Sequence, residues 1–338
     1  MVTAQDASVG IGVEGTYRTF ATPTRWFEFL SESLNWEKNI VNSAGLRVGS
    51  RVSRSSRRAV TSAAGSGDLE LEVATKGLGL LLQAALGTAT STVVGATTAY
   101  QQNFTLGDNP NSLTIQKGIP RADNSQVDAF TFTGCMVNTL SLEVENDEIA
   151  KWTCEFDIGD VTTGQAYVAP SYPTGANVLA FKELAVSMGG TLTAAGATSL
   201  ASMTGALGAK VRSFSVEINN NLTTDRMNAG NGGRKDKPTV GIREITGSVE
   251  LEYNEATWRD RFLSDAGFPI LVDLIGSTLA GTARPEQVQC VLPVVHLDGS
   301  LPESNEGELV TVEMDFSVLD GTTQQPITIT QTTTDLAL

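Results

Sequence analysis

Six residues near the start of the chain spell a phosphate-binding motif. Gly10-Ile11-Gly12-Val13-Glu14-Gly15 is a literal G-x-G-x-x-G. In a dinucleotide site this turn must follow a buried strand and open a helix, so that backbone N–H groups at the helix start meet the pyrophosphate. Here Asp6-Ala7-Ser8 precedes it, which is not a buried parallel strand. Thr16-Tyr17-Arg18-Thr19 and then Pro23 follow, which do not open a helix. The motif therefore predicts a turn, not a cofactor site. His296 is the only histidine, which leaves little for acid–base or metal chemistry, and it reads as a satisfied or exposed strand residue. The three cysteines, Cys135, Cys154 and Cys290, have no C-x-x-C spacing for a metal and are too few and odd in number for a disulfide framework. Cys154 alternates with Trp152 and Phe156, so it reads as a core thiol. There is no nucleophile elbow and no Walker loop, and nothing singles out one pair of carboxylates for hydrolysis. The expectation is a protein that is not an enzyme and holds neither cofactor nor metal.

The remaining chemistry is charge. The chain carries 23 basic and 38 acidic residues, a net charge of −15. This argues against gripping nucleic acid by neutralising phosphates. Yet between Val41 and Gly67 there are Arg47, Arg51, Arg54, Arg57 and Arg58 and no acid. A second stretch holds Arg226, Arg234, Lys235, Lys237 and Arg243, mixed with Asp225, Asp236 and Glu244. Such loops can touch DNA, lie solvated, or clamp the acidic surface of another copy, where the guanidinium fork suits carboxylates. In a chain this acidic the clamp is favoured.

The elements that carry these charges are strands. Leu69, Leu71 and Val73 alternate with Asp68, Glu70 and Glu72, and Val249, Leu251 and Tyr253 alternate with Glu250 and Glu252. The same apolar–acidic alternation sets Leu142 and Val144 against Glu143 and Glu145. It sets Trp152, Cys154, Phe156 and Ile158 against Glu155 and Asp157, and Val312, Met314, Phe316 and Val318 against Glu313 and Asp315. These are half-buried antiparallel strands. Leu78 and Leu82, and again Trp258 and Phe262, stand at i,i+4 and predict one short helix in each half, the second capped by Asn254. The fold class is mainly β: sandwich or barrel domains, each flanked by an α-helix.

The two halves repeat. At an offset of 180, Gly67-Asp68-Leu69-Glu70-Leu71-Glu72-Val73 falls on Gly247-Ser248-Val249-Glu250-Leu251-Glu252-Tyr253. Ser33, Glu37 and Asn39 fall on Ser213, Glu217 and Asn219, and Gly87 falls on Gly267. Further on the offset is 160, and Glu148-Ile149 and Cys154 to Ile158 meet Glu308-Leu309 and Met314 to Val318. The first copy is therefore about 20 residues longer between its helix and its last strand. The expected division is a first domain at 1–162, a linker at 163–177, a second domain at 178–320 and a C-terminal arm at 321–338. That arm, Thr/Gln-rich with Ile327 and Ile329 alternating, reads either as a strand added to a neighbour or as a frayed tail. Met1 to Gly10 lacks a basic region followed by an apolar one, so no signal peptide is expected, and no apolar run approaches a membrane span.

From Gly10-Ile11-Gly12-Val13-Glu14-Gly15-Thr16-Tyr17 through Thr22-Pro23-Thr24-Arg25-Trp26-Phe27-Glu28-Phe29-Leu30-Ser31-Glu32-Ser33-Leu34, the chain resembles the start of major tail tube proteins of long-tailed, siphovirus-like bacteriophages. Arg18 stands where that pattern usually has Gly. The resemblance implies a β sandwich or barrel with a flanking helix, in subunits that form stacked rings around a lumen. It implies a lumen that holds the tape measure protein and later conducts double-stranded DNA, without specific binding. It also implies tail terminator and distal tail proteins as partners, assembly in the host cytoplasm and a place in the virion. On this reading Glu70, Glu72, Glu250 and Glu252 face the lumen, with Glu143, Glu145, Glu155, Asp157, Glu313 and Asp315 as further candidates. Arg47, Arg51, Arg54, Arg57 and Arg58, with Arg226, Arg234, Lys235 and Lys237, lie on loops that reach the adjacent ring. Two copies per chain and sixfold tube symmetry imply rings of three chains, a pseudo-hexamer, with six-chain rings as the alternative. A tandem β-sandwich adhesin or a capsid decoration protein is the rival reading.

Overall fold

The computed structural model describes residues 3–49, 51–298, 301 and 310–338. The chain is mainly β. Its first half holds β1 (Ser8–Val13), β2 (Arg25–Phe27), β3 (Phe29–Glu32), β4 (Asn35–Asn42), β5 (Arg58–Glu72) and helix α1 (Gly79–Leu86). These are followed by β6 (Gly87–Val93), β7 (Tyr100–Leu106), β8 (Leu113–Pro120), β9 (Val127–Val144), β10 (Lys151–Ile158) and β11 (Asp160–Thr162). The second half holds β12 (Leu184–Met188), β13 (Thr191–Thr193), β14 (Ser202–Thr204), β15 (Val211–Asn219), β16 (Glu244–Glu252) and helix α2 (Thr257–Ser264). It ends with β17 (Phe268–Thr278), β18 (Pro285–Leu297), β19 (Thr311–Val318) and β20 (Thr328–Thr333).

Each half follows the same pairing order, antiparallel throughout. In the first, β1 pairs with β8, β8 with β9, β9 with β10, β10 with β5, and β5 with β3 and β4. In the second, β12 pairs with β17, β17 with β18, β18 with β19, β19 with β16, and β16 with β15. The registers agree with the sequence offsets: Gly67 lies opposite Phe156, and Gly247 opposite Phe316. The glycines share a reason. A Cβ on Gly67 would lie 2.7 Å from the Ser33 carbonyl oxygen, and one on Gly247 would strike the Ser215 carbonyl. Even a bulge repeats, between Phe29 and Ser31 against β5 and between Val211 and Ser213 against β16.

That bulge corrects one detail of the sequence alignment. Pairing places Asn35 opposite Ser66 and Glu217 opposite Thr246, so the first strands correspond at an offset of 182 rather than 180. The matches at Ser33, Glu37 and Asn39 are therefore out of step with the structure by two residues, which preserves the facing pattern of a pleated strand. The extra length of the first half is the hairpin of β6 and β7, placed between α1 and β8, where the second half runs from α2 straight into β17.

β9 belongs to two sheets. Its N-terminal part pairs with β8 and β11, and its C-terminal part with β10 and β15. The strand turns the corner near Gly134, which has φ +66°. Through β9 and β15 the two halves share one sheet, in the order β3/β4, β5, β10, β9, β15, β16, β19. Its apolar face packs Leu69, Leu71, Trp152, Phe156, Leu142, Phe214, Val249 and Phe316 into one buried cluster that spans both halves and includes α1. Burying a large side chain of this kind stabilises by roughly 1.5–3 kcal/mol.

The helices lie where the spacing predicts, but their starts differ. Ala256 occupies the position before α2 without a side-chain cap, so Asn254 does not cap it, and the Asn254 N–H instead donates to the Glu252 carbonyl. Leu78 stands just before α1 and is buried, while Phe262 of α2 is half-buried. Residues 163–177 run along the first half. Val168 N–H donates to Gln116 Oε1, Tyr167 meets Ser8, and Leu179 bridges Val73 and Ala150. The C-terminal residues form neither an arm to a neighbour nor a frayed end here. Ile327 and Ile329 are buried, and β20 lies between β18 and β7 of its own chain. Its Thr and Gln side chains meet a polar lining of Gln101, Gln102, Gln287 and Gln289 that the sequence pattern alone does not reveal.

Candidate functional site

The opposite face of the shared sheet is acidic. Asp68, Glu143, Glu155, Glu217, Glu313 and Asp315 are exposed on it, and Glu70, Glu72, Glu250 and Glu252 are half-buried. Between them stand Ser and Thr: Ser141 opposite Glu217, Ser215 opposite Glu143, Ser248 opposite Asp315. Two acid pairs lie directly opposite each other, Asp68 with Glu155 and Glu250 with Glu313. Like charges directly opposed across strands are destabilising. Glu143 is pushed above its ordinary pKa, first by burial and then by Glu145 beside it. Some charge is offset at the margin: Lys210 pairs with Glu252 at 3.0 Å, Arg212 with Glu250 at 3.5 Å, and Ser31 donates to Glu70 at 3.0 Å. Glu145 is exposed just beyond the end of β9. Asp157 departs from this face. It is buried beneath Lys235 and presents no surface.

The two basic loops differ. Residues 43–49 and 51–57 lie between β4 and β5 and are mostly exposed. Arg47, Arg51, Arg57 and Arg58 are exposed and Arg54 half-buried, and none forms an ion pair among the described residues. Leu46 and Val48 at its tip are fully exposed. Residues 220–243, between β15 and β16, instead fold onto the first half. Arg234 pairs with Asp160, and Lys235 with Asp157 at 2.5 Å. Lys237 donates to Asn109 Oδ1 at 2.7 Å and to the Pro110 carbonyl, and Arg226 donates to the Lys237 carbonyl. Arg243 donates to Asn220 Oδ1, whose own amide donates to the Ala85 and Val137 carbonyls. Burial raises the Asp157 carboxyl above its ordinary value against the pull of Lys235. Asp157, Asp160, Asn109 and Asn220 are contacts the sequence does not announce, because their partners lie far along the chain.

The glycine-rich opening serves packing. Gly10, Ile11 and Gly12 lie in β1, with no helix directly after it. A Cβ on Gly12 would stand 2.5 Å from the Thr22 carbonyl oxygen, and one on Gly10 2.7 Å from the Trp26 indole. Glu14 turns inward and accepts from Ser112, Thr114, the Gly134 N–H and the Arg18 N–H. Its pKa is raised, with burial as the largest cause, against the lowering effect of those donors. Arg18 takes φ +62°, the left-handed conformation that Gly supplies more cheaply. Its guanidinium reaches the docked loop, donating to the Lys235 carbonyl and to Asn231 Oδ1. His296 meets Asp265 at 2.9 Å, and all three cysteines are free and buried. Among the described residues no helix is long and apolar enough to cross a membrane.

What this arrangement offers is a wide acidic surface, one docked basic loop and one exposed basic loop. A comparison with protein families matches residues 4–318 to the family described as phage tail tube protein. No curated protein matches the chain.

Proposed function

Given that the chain belongs to the phage tail tube protein family, a structural component of the virion tail, we propose that it assembles into rings whose acidic sheet face lines a lumen. The observation that carries this reading is the sheet shared by the two halves. It is apolar on one face, acidic on the other, and ends at β4, which pairs on one side only, with β5, among the described residues. The common pairing order supports two copies of one domain per chain. β4 then corresponds to β15, which already pairs with β9 of the other half. In a ring, β4 of one chain takes against the second half of its neighbour the place that β15 takes against the first half. This covers an edge that a soluble protein must otherwise protect.

Three chains supply six similar units. With four strand positions from each half, the closed sheet would have ~24 strands. At ~4.8 Å between strands and ~40° of tilt, its backbone diameter is on the order of 50 Å, wider than porin barrels that already hold water. Glu70, Glu72, Glu250 and Glu252, with Glu143, Glu155, Glu313 and Asp315, then face the lumen. Their charge repels phosphates, so that DNA passes without being held. The same space holds the tape measure protein during assembly, and tail terminator and distal tail proteins close the two ends. The tip of the 43–57 loop, with Leu46, Arg47, Val48 and Arg51, reaches the adjacent ring.

Electron microscopy of the purified protein tests this. Hollow tubes with three elongated chains per ring are expected. Discrete particles would favour an adhesin or decoration protein and overturn the reading, and six separate two-domain chains per ring would overturn the trimer.

A further inference from the structure

The docked loop of the second half shows which surface a basic loop of this fold seats on. Its cations sit at the end of β10 and at the start of β11, on Asp157 and Asp160. The first half has no such neighbour within the chain, and its arginines stay without carboxylate partners among the described residues. Strand register identifies the matching seat in the second half. Phe156 and Phe316 are equivalent, each lying opposite an equivalent glycine. Four residues beyond them stand Asp160 and Asp320. Asp320 is exposed and is met by the Thr322 N–H, and among the described residues it has no cationic partner. On the loop side, Arg54 lies 180 positions before Arg234, the offset that relates β5 to β16. Arg47, Arg51, Arg54 and Arg57 line one concavity of about 400 Å³, large enough to take a carboxylate-bearing corner of another chain.

Resting on the ring reading, we propose that the arginine loop of one chain docks on the Asp320 corner of the neighbouring chain in the same ring, with Arg54 pairing with Asp320. This contact repeats between chains what Arg234 and Asp160 do within one. The base of the loop thus fixes the lateral seam, while its tip remains free for the next ring. The occupant is a second copy of this chain rather than a nucleic acid. The seat predicted by register is an acid, and a bidentate guanidinium–carboxylate contact gives an orientation that diffuse phosphate attraction does not.

Charge exchange tests the pair. Asp320→Arg and Arg54→Asp should each lower the yield of assembled tubes by about tenfold, read by pelleting and negative-stain microscopy, because each sets like charges together. The unfolding midpoint of the unassembled subunit should not move. The double variant should assemble to within about twofold of the unmodified chain. Unaffected single variants, or a double variant as poor as the singles, would overturn the pairing while leaving the tube intact. Arg54→Asp that reduces retention of labelled duplex DNA without changing assembly would assign the loop to nucleic acid and overturn it as well. Discrete particles from the unmodified chain would remove the ring reading itself and this contact with it.

Discussion

Two loops occupy the same place in two similar halves, and they end differently. The 220–243 loop has found its acids inside the chain, at Asp157 and Asp160. The 43–57 loop carries more unopposed positive charge and has none within reach among the described residues. The difference is one of neighbours as well as of loop composition. The loop of the second half meets acids of the first half, whereas the arginines of the 43–57 loop form no ion pair among the described residues. Within one chain the contact between the halves is complete, and on the ring proposal it is the template for the contact between neighbouring chains.

Removing Lys235 should break the comparison most strongly. Lys235→Ala leaves Asp157 buried and uncompensated, and breaking a buried pair in this way costs roughly 3–5 kcal/mol, readable in urea unfolding. Its pH dependence has a defined sign. The Asp157 carboxyl is already raised above its ordinary 3.8 by burial. Its contribution thus favours folding below that value and is lost as pH rises through the folded value. Without Lys235 that pKa rises further, so the deficit of the variant should be small in acid and complete at neutral pH. A deficit independent of pH would show that Lys235 acts through packing alone.

Arg18 gives a smaller, paired effect. Arg18→Ala loses the donors to Lys235 O and Asn231 and keeps the cost of a left-handed backbone. Arg18→Gly loses the same donors and removes that cost. The Gly variant should be the more stable of the two by about 1 kcal/mol. Equal stabilities would mean that the turn relaxes when the guanidinium leaves.

The smallest effect on folding should come from the exposed loop. Replacing 44–56 with a short Asn-Gly turn should change subunit stability by only about 0.5 kcal/mol, because that loop packs on little. Yet it should abolish tubes in sedimentation. Normal tubes from this variant would assign the loop no role in assembly.

Much of this plan was legible in the chain. The alternation of Leu69, Leu71 and Val73 with Asp68, Glu70 and Glu72 correctly predicts a strand with one apolar and one acidic side, because strand periodicity is local. The 20-residue difference in offset matches the length of the β6 and β7 hairpin, which lies between α1 and β8. Other features depend on contacts remote in sequence. Asp157 has the strand parity of Glu155 but is covered by a loop 78 positions away. Nothing local distinguishes it. The segment of β20 reads either as a strand added to a neighbour or as a frayed tail because its polar residues suit solvent, and its burial depends on Gln101 and Gln102 of a hairpin in the other half. Arg18 in a glycine position is explained only by the loop it holds.

The place of β20 in the sheet also sets an order of events. Its segment reaches back 233 positions, from Asp335 to Gln102. Closing so long a loop is slow compared with pairing neighbouring strands. A chain emerging from a ribosome can fold its first half, and much of its second, before this strand is available to join β7 to β18. Until then β7 and β18 each keep an open edge. Subunits in which β20 has not yet joined are thus distinguishable from those in which it has, because β20 follows both of the strands that it bridges.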